Sequence, residues 1–424
     1  MYVVQGATYN HNHANGMSVE LYGAGTVMGI DPGKGLTYEA PMHVNYYAQW
    51  AAHNTVVSGG ASGPVPLFKG GGGSKNMGAI KLAAMEPGAD REAVSPYCSF
   101  TDTRYTDPSS NTPQQRTLAI IRTGERSGYY VDIYRSAHPQ SNEYMYHNVG
   151  DQLQFLQPDR TVLSMKPATF PLSKNPSDPP GFRLIEHFAS SGTTDKGAIA
   201  LFSQQEPKKY MQVLFAPQSG REFWAGSGPP SGTADPAYRN RPTPTLVCRQ
   251  EGEAWKRPFV TVYEPFSGEG NFTVESISLT DQEHPEDFVA LQVDSKSGNR
   301  QIILQSFGEE KTYDKNSWSF KGNFGVIGLQ GEQLQYLYLG SGGLVSYKHY
   351  QLSSKTTAGA AFLQIDKNIL TISCNQETTI GLPPAVQHAT LNTSQGKKAL
   401  PLVRSNTGVS ITMPPVQHAQ VQLD

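Results

Sequence analysis

His11-Asn12-His13-Ala14-Asn15-Gly16-Met17-Ser18-Val19-Glu20-Leu21-Tyr22 is the stretch from which the fold can be read. Met17, Val19 and Leu21 alternate with Ser18, Glu20 and Tyr22, the period of two that a half-buried strand requires. Counted back in twos, His11, His13 and Asn15 fall on the face of those apolar side chains. A second short run, Gly25 to Ile30, ends at Asp31-Pro32-Gly33, a turn signal. A third, Thr55-Val56-Val57, is opened by His53 and closed by Ser58-Gly59-Gly60.

Two imidazoles and a carboxylate on three neighbouring strands have the makings of a zinc site with water in the fourth position. Ligands so far apart in sequence cannot share a turn or a helix, so such a site would tie strands together. Each piece also has an ordinary reading. A His-x-His pair is commonly just part of a strand, and an Asp before Pro-Gly is commonly a turn former.

The order of the pieces resembles the heparinase II/III-like polysaccharide lyases. The motif segments are His11-Asn12-His13-Ala14-Asn15-Gly16-Met17-Ser18, Asp31-Pro32-Gly33, Tyr46-Tyr47 and Ala52-His53-Asn54-Thr55-Val56-Val57. Further on, Gly128-Tyr129-Tyr130-Val131-Asp132-Ile133-Tyr134-Arg135 and Tyr146-His147-Asn148 are similar to a later strand and an aromatic-His segment of that family. The resemblance implies a structural Zn2+ held by His13, Asp31 and His53. It implies His11 facing the substrate cleft, joined by a tyrosine from the segment before His53. Asn15 stands where many members carry Asp, and Val19 where many carry an aromatic residue. The family also implies a helical toroid ahead of the β-portion, as a domain or a separate subunit; this chain starts almost on the motif. The expected role is therefore the β-sheet half of a lyase, with an acidic polysaccharide or oligosaccharide as its ligand and a periplasmic or extracellular location.

Composition agrees with a β-rich chain. Among 424 residues there are 42 Gly, 30 Pro and 21 Tyr but only 17% charged residues, the profile of many short strands joined by turns. A net charge of −2 gives no field that would favour nucleic acid or an anionic membrane, and no apolar run approaches the roughly 20 residues of a membrane helix. No basic-then-apolar leader stands at Met1. Cys98, Cys248 and Cys374 are too dispersed for a disulfide framework or a cysteine metal site, so buried thiols are expected. Oligomeric state is left open, a homo-oligomer included.

Gly70-Gly71-Gly72-Gly73 reads as a loop, because no helix pattern and no Lys-Ser/Thr pair follow it as a phosphate cradle needs. Strands are expected at Ala79 to Ala84, Leu118 to Thr123 and Tyr129 to Arg135, with Tyr130, Asp132 and Tyr134 on one face of the last. Pro171 to Pro180 and Gly220 to Arg241 read as loops, with a further series of strands continuing to Leu339. Helical periodicity is almost absent. The fold class is all-β: so many strands indicate stacked antiparallel sheets, the resemblance implies a large antiparallel two-sheet β-sandwich over residues 1–352, and the shorter strands over 353–424 read as a small C-terminal β-domain.

Cleavage beside a uronic acid by β-elimination needs a base for the proton next to the carboxylate and an acid for the departing oxygen. The candidates are His11 as base or positioning partner, and Tyr46, Tyr47 and then Tyr38 as the tyrosine. Strand alternation would let only one of Tyr46 and Tyr47 face the cleft. A non-catalytic carbohydrate-binding or scaffolding β-sandwich is the alternative, and a structural sandwich with incidental motifs a third reading.

Overall fold

The computed structural model describes residues 2–5, 13–59, 79–107, 110–172, 181–281, 283–394, 396–405 and 408–424. His11, Gly70–Gly73 and most of the Pro171–Pro180 loop lie outside them. The described chain is all-β, built from antiparallel strands with three single helical turns, His43–Tyr47, Trp50–Ala52 and Gly181–Leu184.

It forms two compact units. The first holds residues 1–82, 103–117 and 127–272, and the second 83–102, 118–126 and 273–424. The sequence reading placed its boundary at 352/353 instead. There the sheet is continuous: Tyr350–Ser354 pairs with the end of Gln333–Tyr347 on one side and with Thr378–Leu382 on the other. One hydrophobic cluster runs from Phe288 to Leu423, so residues on both sides of 352 share a core.

The first unit is a two-sheet sandwich. One sheet runs in the order Gln152–Leu156, Ala198–Gln204, Lys209–Phe215, Phe259–Ser267, Gly128–Ser136, and on into Thr112–Arg122 and Cys98–Asp107. The other runs Lys166–Pro167, Glu186–Thr194, Arg221–Gly228, Thr243–Gln250, Asn142–His147, Val56–Ser58. Their inner faces meet through aromatic rings. Tyr144 packs on Phe215 and Phe259, Tyr146 on Phe202 and Tyr263, and Phe223 on Phe155 and Phe215. Side chains alternate across a strand, so Tyr144 and Tyr146 facing the core send His147 to the opposite face.

Arg221–Gly228 is a strand where the sequence reads as loop. Glycine and proline around it hide an alternation in which Arg221 and Phe223 are buried. At the N-terminus, strand Ser18–Gly23 pairs with Tyr2–Gln5 and with Thr26–Gly29. The expected alternation holds from Val19 onward, whereas Ser18, expected on the polar face, is buried and its hydroxyl oxygen accepts the Asn54 N–H. Met17 has a positive φ of 55°, which breaks the strand and detaches His13 and Asn15 from its register. All three cysteines are buried free thiols, as expected.

Candidate active site

The anchors meet in the first unit. Asp31 follows strand Thr26–Gly29 and opens the Pro-Gly turn, where Gly33 adopts φ +85° and its N–H donates to Asp31 Oδ1 at 3.1 Å. A side chain at Gly33 would be strained in that left-handed conformation. The turn presents Asp31 Oδ2 to His53 Nδ1 at 2.9 Å. His53 leaves the Trp50–Ala52 turn in extended conformation and is fully buried. The His13 ring lies 5.3 Å from the His53 ring and 5.2 Å from that of His43, centroid to centroid. The His13 segment is held by the Ala14 N–H, which donates to Ala48 O at 2.9 Å. Sequence positions 13, 31 and 53 are thus one cluster, and His43 joins it.

The electrostatics follow from burial. Desolvation pushes the His13 imidazole down to about 3, with His53 and His43 adding to the fall and Asp31 opposing it. Burial alone would raise Asp31, but His53, the Gly33 N–H and His13 together hold its carboxyl below its ordinary value. His43 is also lowered, by burial and then Lys34. A neutral imidazole keeps a lone pair, the state in which histidine binds a metal.

Whether the cluster suits zinc can be tested on its own atoms. Among the described residues, His53 Nε2 and His43 Nε2 are buried without a hydrogen-bond partner. Such orphaned nitrogens are uncommon in native interiors. His53 Nε2 points away from the carboxylate that holds its Nδ1, the arrangement of a histidine oriented from behind by an acid. Among the described residues no group of three or more His, Cys, Asp or Glu forms a ready metal cage, and Asp31 is turned to His53. The donor chemistry fits a zinc ion. Asp31 stands behind His53, on the side of its Nδ1.

Tyr46 and Tyr47 occupy the helical turn His43–Tyr47 and not a strand, yet they diverge all the same. Tyr46 is fully buried, its Oη 3.4 Å from His147 Nε2. Tyr47 is half-buried, and its hydroxyl donates to Pro230 O at 2.7 Å. Burial raises the pKa of both hydroxyls. Tyr38 is the most exposed of the three at 39%, its ring 5.5 Å from His43.

Behind the cluster lies a hub that sequence reasoning missed. Asn54 Nδ2 donates to Val19 O at 2.9 Å and Ile30 O at 3.1 Å. Its Oδ1 accepts the His147 N–H at 2.7 Å and lies 3.1 Å from His147 Nδ1. Asn54 O and Met17 O both accept from Arg116 Nη1, at 2.7 and 2.6 Å. Arg116 in turn forks onto Asp132, Nε to Oδ1 at 3.0 Å and Nη2 to Oδ2 at 2.5 Å, with Tyr144 also donating to that carboxylate. One buried ion pair therefore fixes the backbone beside His53 and beside the His13 loop. Asn54 and Asp132 stand in the recognised motifs, but their partners lie 12 to 93 residues away, and no local pattern marks them. His43 carried only the weak signal of a third histidine between two anchors.

The fold and cluster fit the C-terminal β-sheet portion of a heparinase-like polysaccharide lyase, and the chain is similar to such proteins as follows. Residues 275–365 match the family described as endo-acting ulvan lyase C-terminal domain. The chain is 32% identical over 375 residues to an endo-acting ulvan lyase from Formosa agariphila, covering 84% of this chain and 45% of that protein. The chain thus spans about half the length of the curated relative it matches. Among solved structures, a heparan sulfate lyase from Pedobacter heparinus aligns at 14% identity and TM-score 0.46, over 73% of this chain and 40% of that one. A heparinase III aligns at 13% identity and TM-score 0.39, over 71% and 37%.

Proposed function

We propose that this chain is the β-sheet half of a lyase that cleaves a uronic-acid-containing polysaccharide by β-elimination, acting with a helical toroid domain or subunit. The observation that carries the reading is the convergence of His13, Asp31 and His53, drawn from separate motifs, within a chain 32% identical to an ulvan lyase.

In this reading His11 takes the proton from the carbon beside the carboxylate. A tyrosine gives its proton to the glycosidic oxygen as that C–O bond breaks and the C=C bond forms. Burial keeps the Tyr47 hydroxyl protonated at neutral pH, which suits an acid better than a base. Tyr38 and Tyr47 are the accessible rim hydroxyls and carry the acid role between them. Tyr46 is buried against His147 and acts as a positioning residue. His13 and His53, with Asp31, would hold a zinc ion. When bound, that ion supplies a brace between the chain segments beside the cleft. The protein works in the periplasm or outside the cell, where its polymer substrate is found.

The test is the absorbance of unsaturated product from an acidic polysaccharide, using the chain supplemented with a helical domain. The reading requires new absorbance that falls at least tenfold in Tyr47→Phe or Tyr38→Phe. Cleavage without unsaturated product would overturn the elimination chemistry.

A further inference from the structure

We infer a saccharide-binding cleft in the second unit, separate from the residues of the proposed active site. A cavity of about 530 Å³ opens there over the sheet. Its floor is a single row across four neighbouring strands: Gln301 pairs with Gly328, Gly328 with Tyr336, and Tyr336 with Gln364. Three inter-strand steps make that row roughly 14 Å long at about 4.8 Å each.

The row is built, not incidental. A Cβ at Gly328 would lie 2.1 Å from the Tyr336 ring, so only glycine lets that ring lie across the floor. The Tyr97 ring flanks Tyr336 at 5.5 Å, and Phe362 backs both rings, at 5.8 Å from Tyr97 and 5.9 Å from Tyr336. Aromatic faces for C–H surfaces, with planar amides that both donate and accept at either end, are the groups that read a ring of vicinal hydroxyls. The volume falls in the range of small-ligand sites.

Charge decides the subclass. The ionisable groups lining the cavity besides the tyrosines are Arg122 and Glu125, one of each sign, and Arg122 Nη2 donates to the Glu125 carbonyl at 3.3 Å. A lining of zero net charge selects hydroxyl faces over an acid group. The ligand is therefore a saccharide segment recognised without its carboxylates, which anchors a polymer while another segment is cut.

The probe is a carboxyl-reduced oligouronate, titrated calorimetrically into the intact chain. This probe lacks the acid group that the proposed active site needs, so binding here does not depend on that reading. Binding is expected to survive 0.5 M salt, to weaken at least tenfold in Tyr97→Ala, and to be lost in Gly328→Val, with His53→Ala unaffected. A conservative Tyr97→Phe should retain affinity, because the ring face and not the hydroxyl is used. Absence of binding at millimolar ligand, or equal affinity in Tyr97→Ala, overturns the proposal.

Discussion

At the scale of single residues, position and burial give chemically similar side chains different tasks. Tyr46 and Tyr47 are adjacent, yet one hydroxyl is enclosed with His147 and the other, on a half-buried ring, donates to Pro230 O. Tyr47→Phe should cost turnover by a factor of about 10² to 10⁴, the usual worth of a placed proton donor, while KM moves little. Tyr46→Phe should cost less, and should act by loosening His147. Kinetics on an acidic oligosaccharide, with the helical domain present, would separate the two. His147 also predicts a pH dependence. Burial holds its imidazole near 3 against an ordinary 6.5, so the folded chain keeps it neutral while the unfolded chain takes up a proton below 6.5. The stability it contributes is full above that pH and drains away as pH falls towards 3, by up to about 1.4 kcal/mol per pH unit. Urea midpoints measured from pH 7 to 4 should fall, and should fall less steeply in His147→Gln; an unchanged slope would remove His147 from the account. The anchor residues were legible in sequence because their motifs are local. His43 and Asn54 were not, because what matters in each is a contact made only after folding.

At the scale of elements, the Arg116–Asp132 pair joins strand Thr112–Arg122 to strand Gly128–Ser136 and reaches the loops that carry the anchors. Both side chains are essentially inaccessible. A buried ion pair is a modest net stabiliser, but removing one partner strands the other charge in a dry interior. Asp132→Asn should therefore destabilise the first unit by about 3–5 kcal/mol, read from chemical unfolding. A loss below about 1 kcal/mol, the value of an exposed pair, would show that the pair is not the brace described. Strand alternation correctly put Asp132 on the face of Tyr130 and Tyr134. The same reasoning failed at His13, where Met17 interrupts the strand, and at Arg221–Gly228, whose glycines resemble loop. Glycine-rich strands such as Trp318–Gln330 are hard to read locally, since Gly328 is there to admit a ring from the next strand.

At the scale of the whole molecule, the all-β class followed directly from period-two runs and turn residues. The division into units did not. The chain enters the second unit at 83–102 and 118–126 before it settles there at residue 273, and no composition shift marks such a discontinuous boundary. The chain also aligns with less than half of its ulvan lyase relative. The proposed function predicts little turnover from residues 1–424 alone and at least a tenfold higher rate when a helical domain is supplied. An equal rate with and without that domain would contradict the proposed partnership. The claim on which the rest depends is that His13, Asp31 and His53 serve one metal centre, and elemental analysis of the purified chain tests it most directly. About one zinc per chain is predicted, lost in His53→Ala, with a lower melting temperature after chelation. A metal-free chain whose melting temperature is unmoved by chelator, before and after zinc is offered, would contradict it.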